Sequence, residues 1–154
     1  MTAQSDLRLA RIHLDMSEFD AARAYYESVI QLNQRLNLPY RVIQCCTGDI
    51  GVKNASMMDI ETWMPSREQP GRPDSGYGET HSASRLYEFQ ARRLNLRYTD
   101  AGGKKRFCHT LNNTVVASPR VLIPVLENYQ NADGSVTVPE VLRPYLNGRE
   151  RITA

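Results

Sequence analysis

Long apolar runs are missing from this 154-residue sequence. Without about 20 consecutive apolar residues a helix cannot span a bilayer, so no membrane role is expected. The first ten residues hold no apolar stretch of the kind a secretory leader needs. Both absences make the cytoplasm the expected compartment. Cysteine is scarce. Cys45, Cys46 and Cys108 form no CxxC and no Cys/His spacing that suits zinc, and all three read as reduced, mostly buried thiols. A charge excess is also missing, since 19 Lys and Arg face 17 Asp and Glu for a net +2. Proteins that grip nucleic acid through their own surface are usually more basic. The one local cluster, Lys104, Lys105 and Arg106 beside two glycines, reads as a solvated hairpin tip. Neither GxGxxG nor GxxxxGK[ST] occurs, which excludes the common phosphate loops.

What is present is a series of short strands with helices among them. Leu7, Leu9, Ile12 and Leu14 hint at a strand over 8–14. Ser17 suits a helix N-cap, and Phe19, Ala22, Tyr26 and Ile30 follow at helical spacing to about Leu36. Asn37 could close that helix, and Pro39 forbids its continuation. Residues 40–46 and 58–64 read as strands. In the second, Met58, Ile60, Thr62 and Met64 share one face, and Asp59, Glu61 and Trp63 the other. The stretch 66–78, rich in proline and glycine, reads as a surface loop within a single domain covering 1–154. A short strand over 77–81 and a helical turn over 84–92 follow. Residues 93–99 and 106–112 alternate around Asp100-Ala101-Gly102-Gly103-Lys104, the best hairpin in the chain. A helix from about Thr114 to Tyr129 is expected, with a stripe of Leu122, Leu126 and Tyr129 widened by Val121 and Val125. It starts either at Thr114 or, with Ser118 as N-cap, at Pro119, which then takes the favoured first position. A turn at Asp133-Gly134 precedes Val136, Val138, Val141 and Leu142, and the end beyond Gly148 is expected to fray. Strands outnumber helices and the best pair is antiparallel, so the fold class is α+β, an antiparallel β-sheet flanked by helices.

Five stretches resemble, in the same order, those of the seryl-tRNA synthetase family of class II aminoacyl-tRNA synthetases. They are Leu38-Pro39-Tyr40-Arg41-Val42 leading to Thr47-Gly48-Asp49-Ile50-Gly51; Asp59-Ile60-Glu61-Thr62-Trp63-Met64-Pro65; Glu79-Thr80-His81-Ser82 running into 89–95; 109–114 continuing to Arg120 and 126–130; and 133–145. The resemblance implies the carboxy-terminal part of the catalytic domain, a partial class II fold carrying its third motif. It implies that Arg120 contacts ATP and takes the catalytic role. It implies that the stretch Glu79, Thr80, His81 and Ser82 binds ATP, with Glu79 and Ser82 as ligands for Mg2+, and that Asn112 and Thr114 hold the substrate serine. A forked guanidinium suits phosphate, hard oxygens suit magnesium, and hydrogen bonds to a serine hydroxyl reject alanine. The partners implied are serine, ATP and tRNA(Ser), with a homodimer for the complete enzyme.

The sequence departs from the family pattern in places. Asn113-Thr114-Val115 stand where glycine and small residues are usual, His81 replaces a common serine, and Ser56 replaces a common lysine. The second motif, with its α-phosphate arginine and amine-binding glutamate, is not found, nor is the first motif or an amino-terminal helical hairpin. The chain alone is therefore expected to be inactive. A non-catalytic paralogue or binding module is the alternative function, and an enzyme loading an amino acid onto a carrier other than tRNA is a third. Asp59 and Glu61 read as a structural polar face rather than an acid–base pair, His109 as a buried hydrogen-bonding group, and Trp63 as core or a wall of the site.

Overall fold

The computed structural model describes the backbone of residues 20–153 and the side chains of 27–153. The strand expected over 8–14, the N-cap at Ser17 and the positions Phe19, Ala22 and Tyr26 lie outside these described side chains. A helix, α1 (Asp20–Arg35), leads into strand β1 (Tyr40–Gln44). Asn37 takes a left-handed φ of 49° between them, as a closing residue should. Strands β2 (Ser56–Trp63), β3 (Tyr77–Tyr87) and β6 (Thr110–Asn113) complete an antiparallel sheet of order β1-β2-β3-β6. Between β3 and β6 the chain makes an excursion, formed by α2 (Phe89–Leu94) and the hairpin β4 (Arg97–Thr99) and β5 (Lys105–Phe107). Helix α3 (Ser118–Tyr129) returns across the molecule. Strands β7 (Val136–Thr137) and β8 (Arg151–Ile152) pair around a 3-10 segment, Glu140–Leu146. The α+β class, the antiparallel sheet and the flanking helices stand as expected. No helix among the described residues is long and apolar enough to cross a membrane.

One face of the sheet carries the core. Val29 and Ile30 of α1 pack on Tyr40 and Ile60, with Val42, Met58 and Ala83 beside them. Leu36, Leu38, Val121 and Val125 form a second cluster with Leu32, Tyr129, Val141 and Leu142. The other face holds Arg41, Asp59, Glu61, Tyr77, Glu79, Ser82, Ser84 and Asn112, by the cross-strand pairs Arg41↔Glu61, Asp59↔Ser82, Glu61↔Glu79 and Ser84↔Asn112.

Several expectations are corrected. β3 runs on through Ser84–Tyr87, where a helical turn was expected, because Ser84 and Arg85 pair with both β2 and β6 and Tyr87 pairs with β6. The helix starts only at Phe89 and reaches into the supposed strand 93–99, ending at Asn95 in the left-handed region. The strand expected over 106–112 is two strands in two sheets, since 108 and 109 carry the chain from the hairpin to the main sheet. α3 is capped by Ala117, so both Ser118 and Pro119 lie inside it. Its buried stripe is Val121, Pro124 and Val125, while Leu122 and Leu126 are exposed. The end beyond Gly148 pairs as β8 instead of fraying. Cys46 is exposed and Cys108 half-buried. His109 is exposed and meets only the Tyr87 ring edge-on, with centroids 5.4 Å apart.

The stripe error leaves a physical consequence. Leu122, Ile123 and Leu126 of α3, with Leu111, Val115 and Val116, are exposed, and among the described residues β6 pairs on one edge only. An open strand edge beside apolar surface invites association. The 154-residue chain is expected to sediment as a dimer or larger species, and the double variant Leu122→Gln/Leu126→Gln to shift toward monomer. A wild-type monomer across micromolar concentrations in analytical ultracentrifugation contradicts this.

Candidate functional site

The polar face of the sheet gathers several of the expected site side chains, and a bulge makes that possible. Glu79 and Ser82 are three residues apart, so a regular strand would send them to opposite faces. In β3 the register steps from Ile60↔His81 to Glu61↔Glu79, and Thr80 is the extra residue. Thr80 and His81 both turn toward the helices, and Glu79 and Ser82 both reach the polar face.

Thr80 is held by a buried hydrogen-bond chain. Its hydroxyl lies 2.8 Å from the Thr62 hydroxyl, 3.1 Å from the Ile60 carbonyl oxygen and 2.9 Å from His81 Nδ1. Thr62 donates on to Asn33 Oδ1 at 3.2 Å, and Asn33 Nδ2 donates to the Val29 carbonyl at 3.2 Å. All four polar residues, Asn33, Thr62, Thr80 and His81, are buried. With its one proton on Nδ1, a neutral His81 donates to Thr80 and leaves Nε2, which has no partner, as a bare lone pair. Burial pushes this imidazole down to about 4. Thr80 and His81 can therefore offer a ligand on the polar face only main-chain groups.

Arg120 is the third residue inside α3 and reaches the polar face from the helix start. Its Nη1 lies 2.7 Å from Glu79 Oε1. Both groups stay accessible, with side-chain exposures of 55% and 41%, so the pair contributes little to stability and can open to a ligand at small cost. The axial setting of α3 comes from its far end. Glu127 accepts from the Ser66 amide and hydroxyl at 2.9 and 2.7 Å. Asn128 Nδ2 donates to the carbonyls of Trp63 and Pro124 at 2.9 and 2.8 Å, and Tyr129 donates to the Leu36 carbonyl at 2.7 Å.

Asn112 sits opposite Ser84 in β6. Thr114 follows just beyond the strand, where its amide donates to the Ser82 carbonyl at 3.3 Å. Asn112 and Thr114 are both exposed and, two residues apart, continue the same face. The structure thus brings Glu79, Ser82, Asn112, Thr114 and Arg120 to one side of one sheet.

Sequence reasoning missed Arg41. Its Nε lies 2.5 Å from Glu61 Oε2, its Nη1 3.7 Å from Asp74, and its guanidinium stacks 4.6 Å from the Tyr77 ring centroid. Asp59 belongs to the structural polar face, as expected for it and Glu61. It is 7% exposed and accepts a hydrogen bond from the Cys45 thiol at 3.2 Å. Burial first, and then this bond, push Cys45 up to about 12, which leaves it inert as a nucleophile. Trp63 is half-buried, edge-on to Tyr77 at 5.0 Å. A Cβ on Gly76 would come within 2.5 Å of the Trp63 ring, so glycine there allows the close packing.

The donor set bears on magnesium. Among the described residues no group of three or more His, Cys, Asp or Glu could hold a metal ion. One carboxylate and one hydroxyl, Glu79 and Ser82, suit magnesium only when phosphate oxygens and water supply the rest, which is how this ion is commonly held.

Comparison with known proteins follows the same lines. The family described as tRNA synthetase class II core domain (G, H, P, S and T) matches residues 9–129. The serine–tRNA ligase of Deinococcus radiodurans is 59% identical over 119 residues, covering 77% of this chain and 26% of the relative. That of Nitratidesulfovibrio vulgaris is 46% identical over 149 residues, covering 96% and 33%. The chain thus spans about a quarter to a third of the length of these curated relatives. A crystal structure of seryl-tRNA synthetase from Pyrococcus horikoshii complexed with ATP superposes with a TM-score of 0.76 at 39% identity, covering 88% of this chain and 29% of that one. Cytoplasmic serine–tRNA ligase from Naegleria fowleri in complex with AMP gives 0.74 at 34% identity, covering 89% and 31%.

Proposed function

The chain belongs to the class II tRNA synthetase core-domain family, and from that premise we propose that it supplies the third-motif part of a serine–tRNA ligase site. The whole site activates serine with ATP and passes it to tRNA(Ser), in a cytoplasmic homodimer. The observation that carries this reading is the meeting of Arg120 and Glu79 at 2.7 Å, on the sheet face that also holds Ser82, Asn112 and Thr114.

The chemistry follows from the side chains. Attack of the serine carboxylate on the α-phosphate leaves adenylate and pyrophosphate, so negative charge must be held throughout. Arg120 offers forked donors to phosphate, and the positive end of the twelve-residue α3 adds to its field. Glu79 and Ser82 would supply oxygen donors for Mg2+, which, bound together with ATP, would neutralise phosphate charge. The Arg120–Glu79 pair holds both groups poised at the surface until phosphate takes the guanidinium. Asn112 and Thr114 offer an amide and a hydroxyl to the serine side chain. No general base is needed, because positioning and electrostatics dominate such a transfer.

Calorimetric titration tests the reading. The 154-residue chain is expected to bind MgATP, and to catalyse no serine-dependent ATP–pyrophosphate exchange, because it lacks a second phosphate-clamping arginine. Robust exchange overturns the half-site assignment, and absent MgATP binding overturns the site itself. A finer test uses non-hydrolysable seryl- and alanyl-adenylate analogues. Asn112→Ala is expected to cut the preference for the seryl analogue by roughly tenfold, the worth of about one net hydrogen bond. An unchanged preference removes Asn112 from the serine pocket.

A further inference from the structure

We propose that the excursion between β3 and β6, formed by α2, β4 and β5, is a docking surface for the sugar–phosphate backbone of an RNA. Residues 88–107 carry six Lys or Arg against two Asp or Glu, a net +4. The whole chain is only +2, so everything outside this excursion is net negative. The tripeptide Lys104-Lys105-Arg106 viewed alone is a solvated tip. The same excursion carries Arg92 and Arg93 on α2 and Arg97 at the base of the hairpin.

The cations are held ready. The guanidinium carbons of Arg92 and Arg97 lie 4.6 and 4.4 Å from the Phe107 ring centroid, and that of Arg93 lies 3.4 Å from the Phe89 centroid. A guanidinium laid on a ring has a fixed plane. Arg92 Nη2 pairs with Glu88 and Arg93 Nη1 donates to the Phe89 carbonyl at 2.9 Å, which leaves each guanidinium with further N–H donors for phosphate. Asp100 is occupied by the turn, accepting from the amides of Gly102 and Lys104 at 3.0 and 2.9 Å and from Arg106 at 2.9 Å. Lys104 and Lys105 are exposed at the tip, and exposed Tyr98 stands opposite Arg106 in the hairpin, where it offers a face to a base.

Position selects RNA among polyanions, and here the inference rests on the function proposed above. The excursion is rooted at the pair Tyr87↔Thr110. Asn112 lies two residues further along β6, about 7 Å at the rise of an extended strand. The excursion is therefore rooted close to the strand that carries a residue of the proposed serine pocket.

The test is fluorescence anisotropy of the full chain with a labelled RNA hairpin ending in a single-stranded 3′ tail. Wild type is expected to bind with a steep salt dependence. Lys104→Ala/Lys105→Ala is expected to lower the slope of log affinity against log salt by about 2, and so to shrink the loss between about 50 and about 200 mM salt by about tenfold. Thermal melting is expected to be unchanged, since both side chains are exposed. A wild-type slope in the double variant overturns the proposal, as does equal binding to phosphatidylserine vesicles or polyglutamate. Arg120→Ala separates the two readings. It should weaken MgATP binding at least tenfold and leave RNA binding intact. RNA binding without any MgATP binding by wild type supports the docking surface while removing the ATP site. MgATP binding with RNA affinity indifferent to Lys104 and Lys105 does the reverse.

Discussion

Replacing Arg120 with alanine is expected to weaken MgATP binding by ten- to more than a hundredfold while leaving the melting temperature nearly unchanged. A hydrogen bond between charged groups is worth about 1.5–3 kcal/mol, and Arg120 can offer two in fork geometry. Stability should hardly respond, because the Arg120–Glu79 pair is more than two-fifths exposed on both sides and such pairs contribute about 0–1 kcal/mol. Arg120→Lys is expected to recover little, since an ammonium lacks the planar fork. Glu79→Gln should instead lower the magnesium dependence of ATP binding, while keeping a neutral hydrogen-bond partner for Arg120. Titration calorimetry with and without magnesium reads both effects. A variant lacking Arg120 that binds MgATP like wild type would remove the guanidinium from the site and leave the ion pair as surface decoration.

The largest effect on stability is expected from acid, through His81. Its folded pKa sits near 4 because the ring is buried, against about 6.5 in an unfolded chain. Above about pH 6.5 both states hold a neutral ring. Between about 6.5 and 4 the unfolded state binds a proton that the folded state refuses, so stability present at neutral pH is lost as pH falls through this window. The shift corresponds to about 3 kcal/mol. Carboxylates titrate nearby, so the informative quantity is the difference between wild type and His81→Asn, which keeps a polar group toward Thr80 and cannot gain the proton. Urea unfolding at about pH 7 and about pH 4 should show the variant losing less stability than wild type by nearly that amount. Parallel losses in the two proteins would mean that the ring is solvated. The bulge depends on the same group, because Thr80 shares its hydroxyl with His81, Thr62 and the Ile60 carbonyl. Acid should therefore loosen the setting of Glu79 before the sheet as a whole unfolds.

The errors in reading the sequence have particular causes. Leu122 and Leu126 entered the expected core of α3 because hydrophobicity alone placed the stripe. Proline was not counted as an apolar group, yet Pro124 is fully buried there with Val121 and Val125. Ser84–Tyr87 carry no local mark of a strand, and what makes them one is pairing, with β2 and β6 at Ser84 and Arg85 and with β6 at Tyr87. Residues 93–95 alternate well but lie in and just after α2, where the left-handed Asn95 and its amide bonds to Ala91 and Arg92 end the helix. His109, assigned to a buried bond, lies on the crossing between two sheets and is exposed.

Local pattern and family resemblance between them determined the fold class, the main hairpin, the turn at Asn37, the family, and the identity of Glu79, Ser82, Asn112, Thr114 and Arg120 as the residues to examine. Each of these rests on residue types and short spacings, which a linear chain displays directly. Only the tertiary structure decided which of those side chains share a face. A one-residue bulge reverses strand parity, and its presence at Thr80 depends on buried partners in β2 and α1, one of them 47 positions away at Asn33. The stacking of Arg92 and Arg97 on the one Phe107 ring, from a helix and from the facing strand, was likewise a matter of packing.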